Sequence, residues 1–353
     1  MAKAMRSRTQ VRLRDEVVGS LTWHDQHRGG VFQYTADFSV SGIQISPLVM
    51  PLTKTPYSFP ALGHAFNGLP GLVADSLPDR YGHRLIDAWR ALEGREPGSM
   101  TPVERLRFIG RSGMRALEYE PLSDGLADQG RPLNIAALAG LANQLLANRE
   151  DLSGILVESN NIETLQDLLQ IGISAGGARA KAVVGWNPHT DEFRSAQFDE
   201  LDGFEHWLLK FDGIGNNRDK EVADPTGYGL MEYAYYLMAR AAGIYMMPCR
   251  LHHEGGRSHF MTERFDRTAD GKKCHMQSLA ALRHFDYNDP SRYSYEHAID
   301  TITRISSNAD DDFEQQFLRT VFNVIARNQD DHVKNIAFYM DTDGTWGLSP
   351  AST

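Results

Sequence analysis

The chain is 353 residues long, 41% hydrophobic and 23% charged, which is an ordinary globular composition with room for two or three domains. Its formal net charge of -10 argues against a broad nucleic-acid-binding face, and its two cysteines, Cys249 and Cys274, exclude a disulfide framework. No apolar run has the length of a signal peptide or a membrane span, so we expect a cytoplasmic protein with no membrane partner.

The first third of the chain predicts a small β-rich domain followed by helices. Strands are predicted at residues 10–13, 17–23 and 31–34, and helices at residues 81–93 and from residue 101 onward. The second helix begins at Thr101-Pro102-Val103-Glu104, which is a capping box. A polar segment follows, and we place a domain boundary after it, so that residues 1–130 form the N-terminal domain.

A glycine-rich segment then precedes a strand, at residues 171–186. Ser174, Ala175, Gly176 and Gly177 are small, so their backbone N–H groups can approach a phosphate, and Ser174 adds a hydroxyl. A glycine-rich turn is more often only a hairpin, and both interpretations remain open from this segment alone.

Lys210 interrupts a short apolar strand predicted at residues 207–211, and Glu232 lies on an amphipathic helix predicted at residues 225–242. In one interpretation, Lys210 projects into a nucleotide cleft as a point charge for phosphate and pairs with Glu232. In the other, Lys210 is an edge-strand lysine facing water and Glu232 is a surface residue. The helix carries apolar residues at helical spacing: Leu230, Ala234, Leu237 and Ala241.

The last third is predicted to be mainly helical. A strand from residue 259 runs into a charged turn, and helices are expected at residues 276–284, 294–306 and 310–327. The third of these helices carries an apolar stripe that we expect to be buried in the core, formed by Phe313, Phe317, Val321 and Val324. A hairpin is expected at residues 336–348.

Between the last helix and the hairpin lies Asn328-Gln329-Asp330-Asp331-His332-Val333-Lys334-Asn335. A carboxylate and an amide in the spacing Asp330-x-x-x-x-Asn335 are typical of a kinase catalytic loop. There the Asp orients the attacking hydroxyl and the Asn holds a metal ion. Acidic and amide residues are also common turn formers, so this spacing alone also fits an ordinary turn.

The order of these parts resembles a protein kinase, and in detail it resembles the HipA family of bacterial toxin–antitoxin serine/threonine kinases. Five motifs carry the likeness, in residues 74–79 (Ala-Asp-Ser-Leu-Pro-Asp), 113–119 (Gly-Met-Arg-Ala-Leu-Glu-Tyr), 174–181 (Ser-Ala-Gly-Gly-Ala-Arg-Ala-Lys), 263–267 (Glu-Arg-Phe-Asp-Arg) and 331–335 (Asp-His-Val-Lys-Asn). The likeness extends over roughly residues 10 to 350.

The resemblance implies an α+β, bilobal protein-kinase-like fold with an N-terminal β-rich subdomain. Residues 131–265 would form the kinase N-lobe with its phosphate loop, and residues 266–353 a mainly helical, incomplete C-lobe with the catalytic loop. The implied cofactors are ATP and Mg2+. The implied partners are a HipB-like DNA-binding antitoxin, through which alone DNA would be reached, and a protein substrate, which is an aminoacyl-tRNA synthetase in the best-known member.

The resemblance also implies a role for each candidate site residue. Asp330 would be the catalytic base, Asn335 a magnesium ligand, and Ser174 the site of autophosphorylation. The cofactor-binding residues would be Ser174, Ala175, Gly176, Gly177, Lys181, Lys210, Glu263, Phe265 and His332, of which Glu263 and Phe265 would meet adenine. His332 follows the catalytic Asp instead of preceding it, as is expected in this family.

The sequence departs from the family at Ser349-Pro350-Ala351-Ser352-Thr353. The family continues as Ser-Pro-Ala-Tyr-Asp, and that Asp is its second magnesium ligand. With Thr353 in its place and the later helices absent, the resemblance implies a truncated, impaired enzyme whose apolar stripe is partly exposed. Two alternatives are a non-catalytic pseudokinase module that binds antitoxin or nucleotide, and a metal-dependent hydrolase using Asp330, Asp331 and His332.

Overall fold

A computed structural model describes residues 8–122, 131–147, 161–173, 179–196, 202–213, 226–268 and 271–352. Its strands are β1 (Arg8–Leu13), β2 (Glu16–His24), β3 (Gly29–Tyr34), β4 (Tyr57–Ser58), β5 (Leu117–Glu120), β6 (Lys181–Trp186), β7 (Phe193–Ser195), β8 (Glu205–Lys210), β9 (Cys249–Glu254), β10 (Arg257–Glu263), β11 (His275–Ser278), β12 (Ala337–Met340) and β13 (Trp346–Leu348).

Nine α-helices fall within the described residues. They are α1 (Gly71–Ala74), α2 (Arg80–Leu92), α3 (Pro102–Ile109), α4 (Ile135–Ala147), α5 (Asn161–Gly172), α6 (Tyr228–Ala241), α7 (Leu279–Arg283), α8 (Tyr295–Ile305) and α9 (Ala309–Ile325). None of these described helices is both long and apolar enough to cross a membrane.

The N-terminal part is an antiparallel five-stranded sheet in the order β4-β3-β2-β1-β5. Alternate residues of β1 point into the core, so Thr9, Val11 and Leu13 are buried between more exposed neighbours. The predicted strands in this region are confirmed. The predicted helices are confirmed as α2 and α3, and the Thr101–Glu104 capping box is present with both of its hydrogen bonds.

The second sheet is also antiparallel and five-stranded, in the order β7-β6-β8-β10-β9, so that β8 is its central strand. Helix α5 packs against β6, and α6, which follows β8 in the chain, packs against β9 and β10. Close packing at the start of α6 depends on Gly229, where any side chain would collide with the Ser258 carbonyl oxygen. In chain order β8 is the third strand of this sheet, and α6 is the next described element after it.

The third sheet, β11-β12-β13, lies with α7, α8 and α9 in the C-terminal part. The helix predicted at residues 276–284 is wrong in its first turn, because residues up to Ser278 form β11 and pair with β12. Helix α7 begins only at Leu279, where the Ser278 hydroxyl accepts a hydrogen bond from the Ala281 backbone N–H. The tertiary strand pairing here overrides local helix propensity.

The spacing of the apolar stripe on α9 predicted that it is buried in the core, and this prediction is wrong. The departure from the family at residues 349–353 predicted instead that the stripe is partly exposed. The four side chains of the stripe are between 39% and 69% exposed: Phe313, Phe317, Val321 and Val324. On α6, Leu230 and Leu237 are also about half exposed. Helical spacing identifies an apolar face, but it does not say whether another element covers that face.

The N-terminal sheet, the second sheet and the C-terminal part share one contiguous hydrophobic core. It contains Val11 of β1, Leu85 of α2, Leu209 of β8 and Phe338 of β12. The three regions therefore pack against one another through this core.

A buried carboxylate joins the N-terminal part to the C-terminal part. Asp75 accepts hydrogen bonds from the backbone N–H and the hydroxyl of Ser278, at 2.7 and 2.9 Å, and forms an ion pair with Arg115 at 3.3 Å. Because Ser278 is also the N-cap of α7, Asp75 fixes where that helix starts relative to the N-terminal sheet.

Buried histidines make the fold sensitive to acid, and His275 is the clearest case. Its ring is fully buried, with Nε2 donating to the Ile45 carbonyl at 2.8 Å, and burial lowers its pKa to about 4. In the unfolded chain a histidine has a pKa of about 6.5. Between these pH values the unfolded state binds more protons than the folded state. The contribution of neutral His275 to the free energy of unfolding is therefore fully present above about pH 6.5 and is lost as the pH falls toward about 4.

We therefore expect His275→Gln to flatten this acid dependence by up to about 1.4 kcal/mol per pH unit. The measurement is the free energy of unfolding by urea at several pH values between about 4 and 8. The exposed His189→Gln variant is the control. An identical acid dependence in His275→Gln and the wild type would contradict this account.

Candidate nucleotide and phosphoryl-transfer site

The centre of the site is an ion pair between the second sheet and α6. Lys210 ends β8, and its Nζ lies 3.0 Å from Oε1 of Glu232 on α6. Arg179 approaches the same oxygen at 3.4 Å. The expected contact between Lys210 and Glu232 is present. The alternative of an edge-strand lysine facing water is wrong, because β8 is the central strand and Lys210 is mostly buried.

A second carboxylate, Asp212, sets the start of α6 relative to β8. It is buried two residues after Lys210, and its carboxylate accepts backbone hydrogen bonds from Gly227 at 2.9 Å and Gly229 at 3.5 Å. It also accepts from the Ser258 backbone N–H at 3.3 Å. A negative charge at a helix N-terminus is favourable, so Asp212 fixes the position of α6 relative to β8. Because Glu232 lies on α6, this position brings it into contact with Lys210. Sequence reasoning missed this residue.

A second lysine lies beside the ion pair. Lys181 begins β6 and is directly opposite Lys210 in the strand register, so both side chains point to the same face of the sheet. Lys181 is buried, and burial lowers its pKa to about 8, with repulsion from Lys210 acting in the same direction. Two cations side by side on one face are the chemistry expected of a phosphate-binding site.

The predicted phosphate loop lies between α5 and β6. Ser174, Ala175, Gly176 and Gly177 fall outside the described residues, so their roles stay predictions. On the far side of this segment, the Arg179 guanidinium stacks on the Tyr228 ring at 3.9 Å.

An apolar patch lies beside the two lysines. Val183 and Leu208 stand two residues from Lys181 and Lys210 on their strands, so they share the same face. Met114 of the N-terminal part and Leu208 both pack against a small buried cluster formed by Val183 and Ala196. A flat heterocycle such as adenine fits a surface of this kind. Sequence reasoning did not place Met114 here, although its motif was noted.

The two residues expected to meet adenine lie at the end of β10. The Glu263 backbone N–H donates to the Pro248 carbonyl at 2.9 Å, and burial together with Glu205 raises the pKa of its carboxyl. Phe265 is half-buried in the segment that leaves the sheet. This segment connects the second sheet to the C-terminal part, where an interlobe hinge is expected.

Two buried arginines of the hinge bind a backbone carbonyl of the N-terminal part. Arg264 binds both carboxylate oxygens of Asp266, at 2.8 and 2.5 Å, and donates to the Met114 carbonyl at 2.9 Å. Arg267 donates to the same carbonyl at 3.0 Å. Burial opposes ionisation of Asp266, but the two arginines outweigh it and hold the pKa of Asp266 below its ordinary value.

The loop from Asn328 to Asn335 presents one exposed carboxylate, that of Asp330. The Asp330 side chain is 81% exposed, and Nε2 of His332 lies 3.7 Å from its Oδ1. The Asn335 side-chain NH2 donates to the Asp330 backbone carbonyl, and the Asn335 N–H donates to the His332 carbonyl at 2.8 Å. These bonds close the loop and leave the Asp330 carboxylate directed to solvent.

The neighbouring Asp331 has a different role. Its carboxylate accepts hydrogen bonds from the Tyr295 hydroxyl and from the Asn323 side chain, the latter at 2.7 Å. Asp331 therefore ties the loop to α8 and α9. Within the described part of the chain, no three His, Cys, Asp or Glu side chains are placed to hold one metal ion, so the hydrolase alternative has no site there.

These features define a protein-kinase-like fold. In protein kinases, too, the lysine lies on the third strand of the sheet and pairs with a glutamate on the next helix. The chain belongs to the HipA family: the HipA N-terminal domain family matches residues 9–120, and the HipA-like C-terminal domain family matches residues 173–351.

A solved structure supports the same fold. It is HipA of Shewanella oneidensis MR-1, determined in complex with HipB and operator DNA, with a TM-score of 0.65 and 17% sequence identity. The match covers 98% of this chain and 75% of that chain. No curated protein matches the chain.

Substitution of the two adjacent aspartates should reduce stability by very different amounts. Asp331→Ala leaves the Tyr295 hydroxyl and the Asn323 amide without their acceptor, so we expect it to cost about 1–3 kcal/mol of unfolding free energy. The exposed Asp330→Ala should change stability by less than about 0.5 kcal/mol. Urea unfolding of the two variants measures the difference, and equal losses would show that Asp331 does not anchor the loop.

Proposed function

We propose that this chain is the toxin of a HipA-type toxin–antitoxin system and acts as an ATP- and Mg2+-dependent serine/threonine protein kinase. The observation that supports this most directly is the Lys210–Glu232 ion pair beside Lys181. The exposed Asp330 carboxylate in a loop of kinase spacing supports it further. Membership of the HipA family favours kinase chemistry over other nucleotide-dependent reactions.

In this proposal the second sheet binds the nucleotide. Lys210 and Lys181 bind the phosphates, and Glu232 holds Lys210 in position between turnovers. The adenine ring lies against the Met114, Val183 and Leu208 patch, near the hinge that carries Glu263 and Phe265. Water is excluded from one face of the ring by the N-terminal part.

The C-terminal loop provides the proton acceptor. The Asp330 carboxylate accepts the proton of the substrate hydroxyl as that oxygen attacks the γ-phosphorus of ATP, and the bond from phosphorus to the bridging oxygen breaks so that ADP leaves. The Asn335 amide nitrogen is engaged with the loop backbone, so its carbonyl oxygen is the atom left for a cation. Oxygen donors of this kind fit Mg2+, which would neutralise charge on the phosphates when bound.

The proposed partners follow from the family and from the structural neighbour. The Shewanella protein was determined with HipB and its operator DNA, and we propose that this chain binds a HipB-like antitoxin and reaches DNA only through it. The proposed substrate is a cytoplasmic protein with an accessible serine or threonine, an aminoacyl-tRNA synthetase being the first candidate.

Removal of the proposed phosphate-binding charge tests nucleotide binding. We expect Lys210→Ala to weaken ATP binding about tenfold or more, because a charge-assisted contact to phosphate is lost. Calorimetric titration with ATP in the presence and absence of Mg2+ measures this. Lys54→Ala, which removes an exposed lysine of the N-terminal part, is the control. Unchanged affinity in Lys210→Ala would remove this residue from the site.

Phosphoryl transfer is tested by autophosphorylation. After incubation with Mg-ATP, mass spectrometry should find phosphate on Ser174 in a Thr353→Asp variant, which supplies the carboxylate that the family has at this position. Asp330→Asn should reduce that modification by about 10²-fold or more, because it removes the proton acceptor while leaving the loop bonds in place. Nucleotide binding without any phosphorylation would favour the alternative of a non-catalytic binding module. Phosphate on other residues alone would contradict the Ser174 assignment.

A further inference from the structure

Glu232 binds two cations through a single oxygen. Its Oε1 lies 3.0 Å from Nζ of Lys210 and accepts a hydrogen bond from Nη1 of Arg179 at 3.4 Å. All three side chains are mostly buried, so these contacts are screened less than ion pairs at the surface. A lysine has a flexible stem and three rotatable donors, whereas an arginine presents a rigid planar fork. Of the two cations, Arg179 is therefore the one that can fix the direction of the carboxylate.

Arg179 is itself held by an aromatic ring of α6. Its Cζ lies 3.9 Å from the centre of the Tyr228 ring, which is the stacked geometry of a cation–π contact. Tyr228 and Glu232 are four residues apart on α6, so they lie on the same side of the helix. Tyr228 and Glu232 thus form a clamp on the Arg179 guanidinium, with the ring on its face and the carboxylate on its edge.

The backbone is fixed on both sides of this clamp. On the sheet side, the carbonyl of Ala180, next to Arg179, accepts a hydrogen bond from the Phe211 backbone N–H at 3.1 Å. On the helix side, Tyr228 is the first residue of α6, and the Asp212 carboxylate binds the start of this helix. Arg179 therefore joins two anchored segments of backbone, so the Tyr228 ring sets the position of its guanidinium.

We propose that Arg179 is a positioning residue for the phosphate site: held by the Tyr228 ring, its guanidinium fixes the Glu232 carboxylate, which in turn directs Lys210 toward the nucleotide phosphates. This inference rests on the proposed function for its phosphate half. In this role the Tyr228 ring affects nucleotide binding only through Arg179. The family resemblance gave no role to either residue.

Substitution of the ring tests the clamp without changing the charge of the site. Tyr228→Leu removes the stacking surface, and we expect it to weaken Mg-ATP binding roughly threefold to tenfold, because a cation–π contact is lost. Tyr228→Phe keeps the face of the ring and should bind Mg-ATP as the wild type does. Calorimetric titration measures the affinities, and urea unfolding shows whether each variant is folded. Equal affinities in the two variants would overturn the proposal, because the face of the ring would then not matter.

A double-mutant cycle with Arg179→Gln separates positioning from a general structural role of the ring. Arg179→Gln alone should weaken ATP binding for two reasons, since it removes the contact with Glu232 and also a positive charge near the phosphates. In that background Tyr228→Leu should add almost nothing, because the ring has no guanidinium left to hold. A further loss as large as in the wild type would show that Tyr228 acts independently of Arg179, and would overturn the proposal.

The mobility of Lys210 gives a readout that does not depend on nucleotide. In protein labelled with 13C-lysine, the signal of the Lys210 ε-methylene is assigned by its loss in Lys210→Met, and its relaxation reports motion on the ps–ns timescale. Tyr228→Leu should make this group more mobile, and Tyr228→Phe should leave it as in the wild type. An unchanged mobility in Tyr228→Leu would overturn the inference, whether or not the protein binds nucleotide.

These readouts separate the inference from the proposed function. If Lys210 becomes more mobile in Tyr228→Leu but the wild type binds no ATP, the clamp stands, and both the phosphate half of the inference and the proposed function are overturned. If the wild type binds ATP but Lys210 is equally mobile in Tyr228→Leu, the proposed function stands and the inference fails.

Discussion

The proposed nucleotide site depends on two mostly buried lysines that lie next to each other on one face of the second sheet. Lys210 and Lys181 are directly opposite on neighbouring strands, and neither is stable there without an anion nearby. Glu232 provides that anion for Lys210, so α6 must pack against the sheet in the position that brings Glu232 to Lys210. Asp212 fixes this position by accepting backbone hydrogen bonds from the start of α6, and Gly229 allows the close contact with the sheet.

The N-terminal part of the chain also contributes to the proposed site. Its contributions to the proposed site are the Met114 side chain in the apolar patch and the Met114 carbonyl, which is bound by two hinge arginines. Each is held by groups from another part of the chain. A shared hydrophobic core makes these contacts rigid, so the lobes and the N-terminal sheet are positioned together.

Local signals in the sequence were enough to predict most elements. The capping box at Thr101 and the strand pattern of β1 to β3 depend on neighbouring residues alone, and both are confirmed. The contact between Lys210 and Glu232 was predictable because the order of kinase-like parts supplied the long-range pairing that the residues themselves do not encode.

The features that sequence reasoning missed depend on tertiary contacts. Residues up to Ser278 have helical propensity but pair with β12, and the α9 stripe has helical spacing but no described covering element. Burial and charge environment are properties of the folded chain.

The most direct test of the central claim is a double-mutant cycle on ATP affinity with Lys210→Met, Glu232→Gln and the combined variant. If Glu232 acts by positioning Lys210, its substitution should weaken binding in the wild type but add almost nothing once Lys210 is gone, giving a coupling of about 0.5–3 kcal/mol. Strictly additive losses would contradict the account, because they would mean that the two side chains affect ATP binding independently.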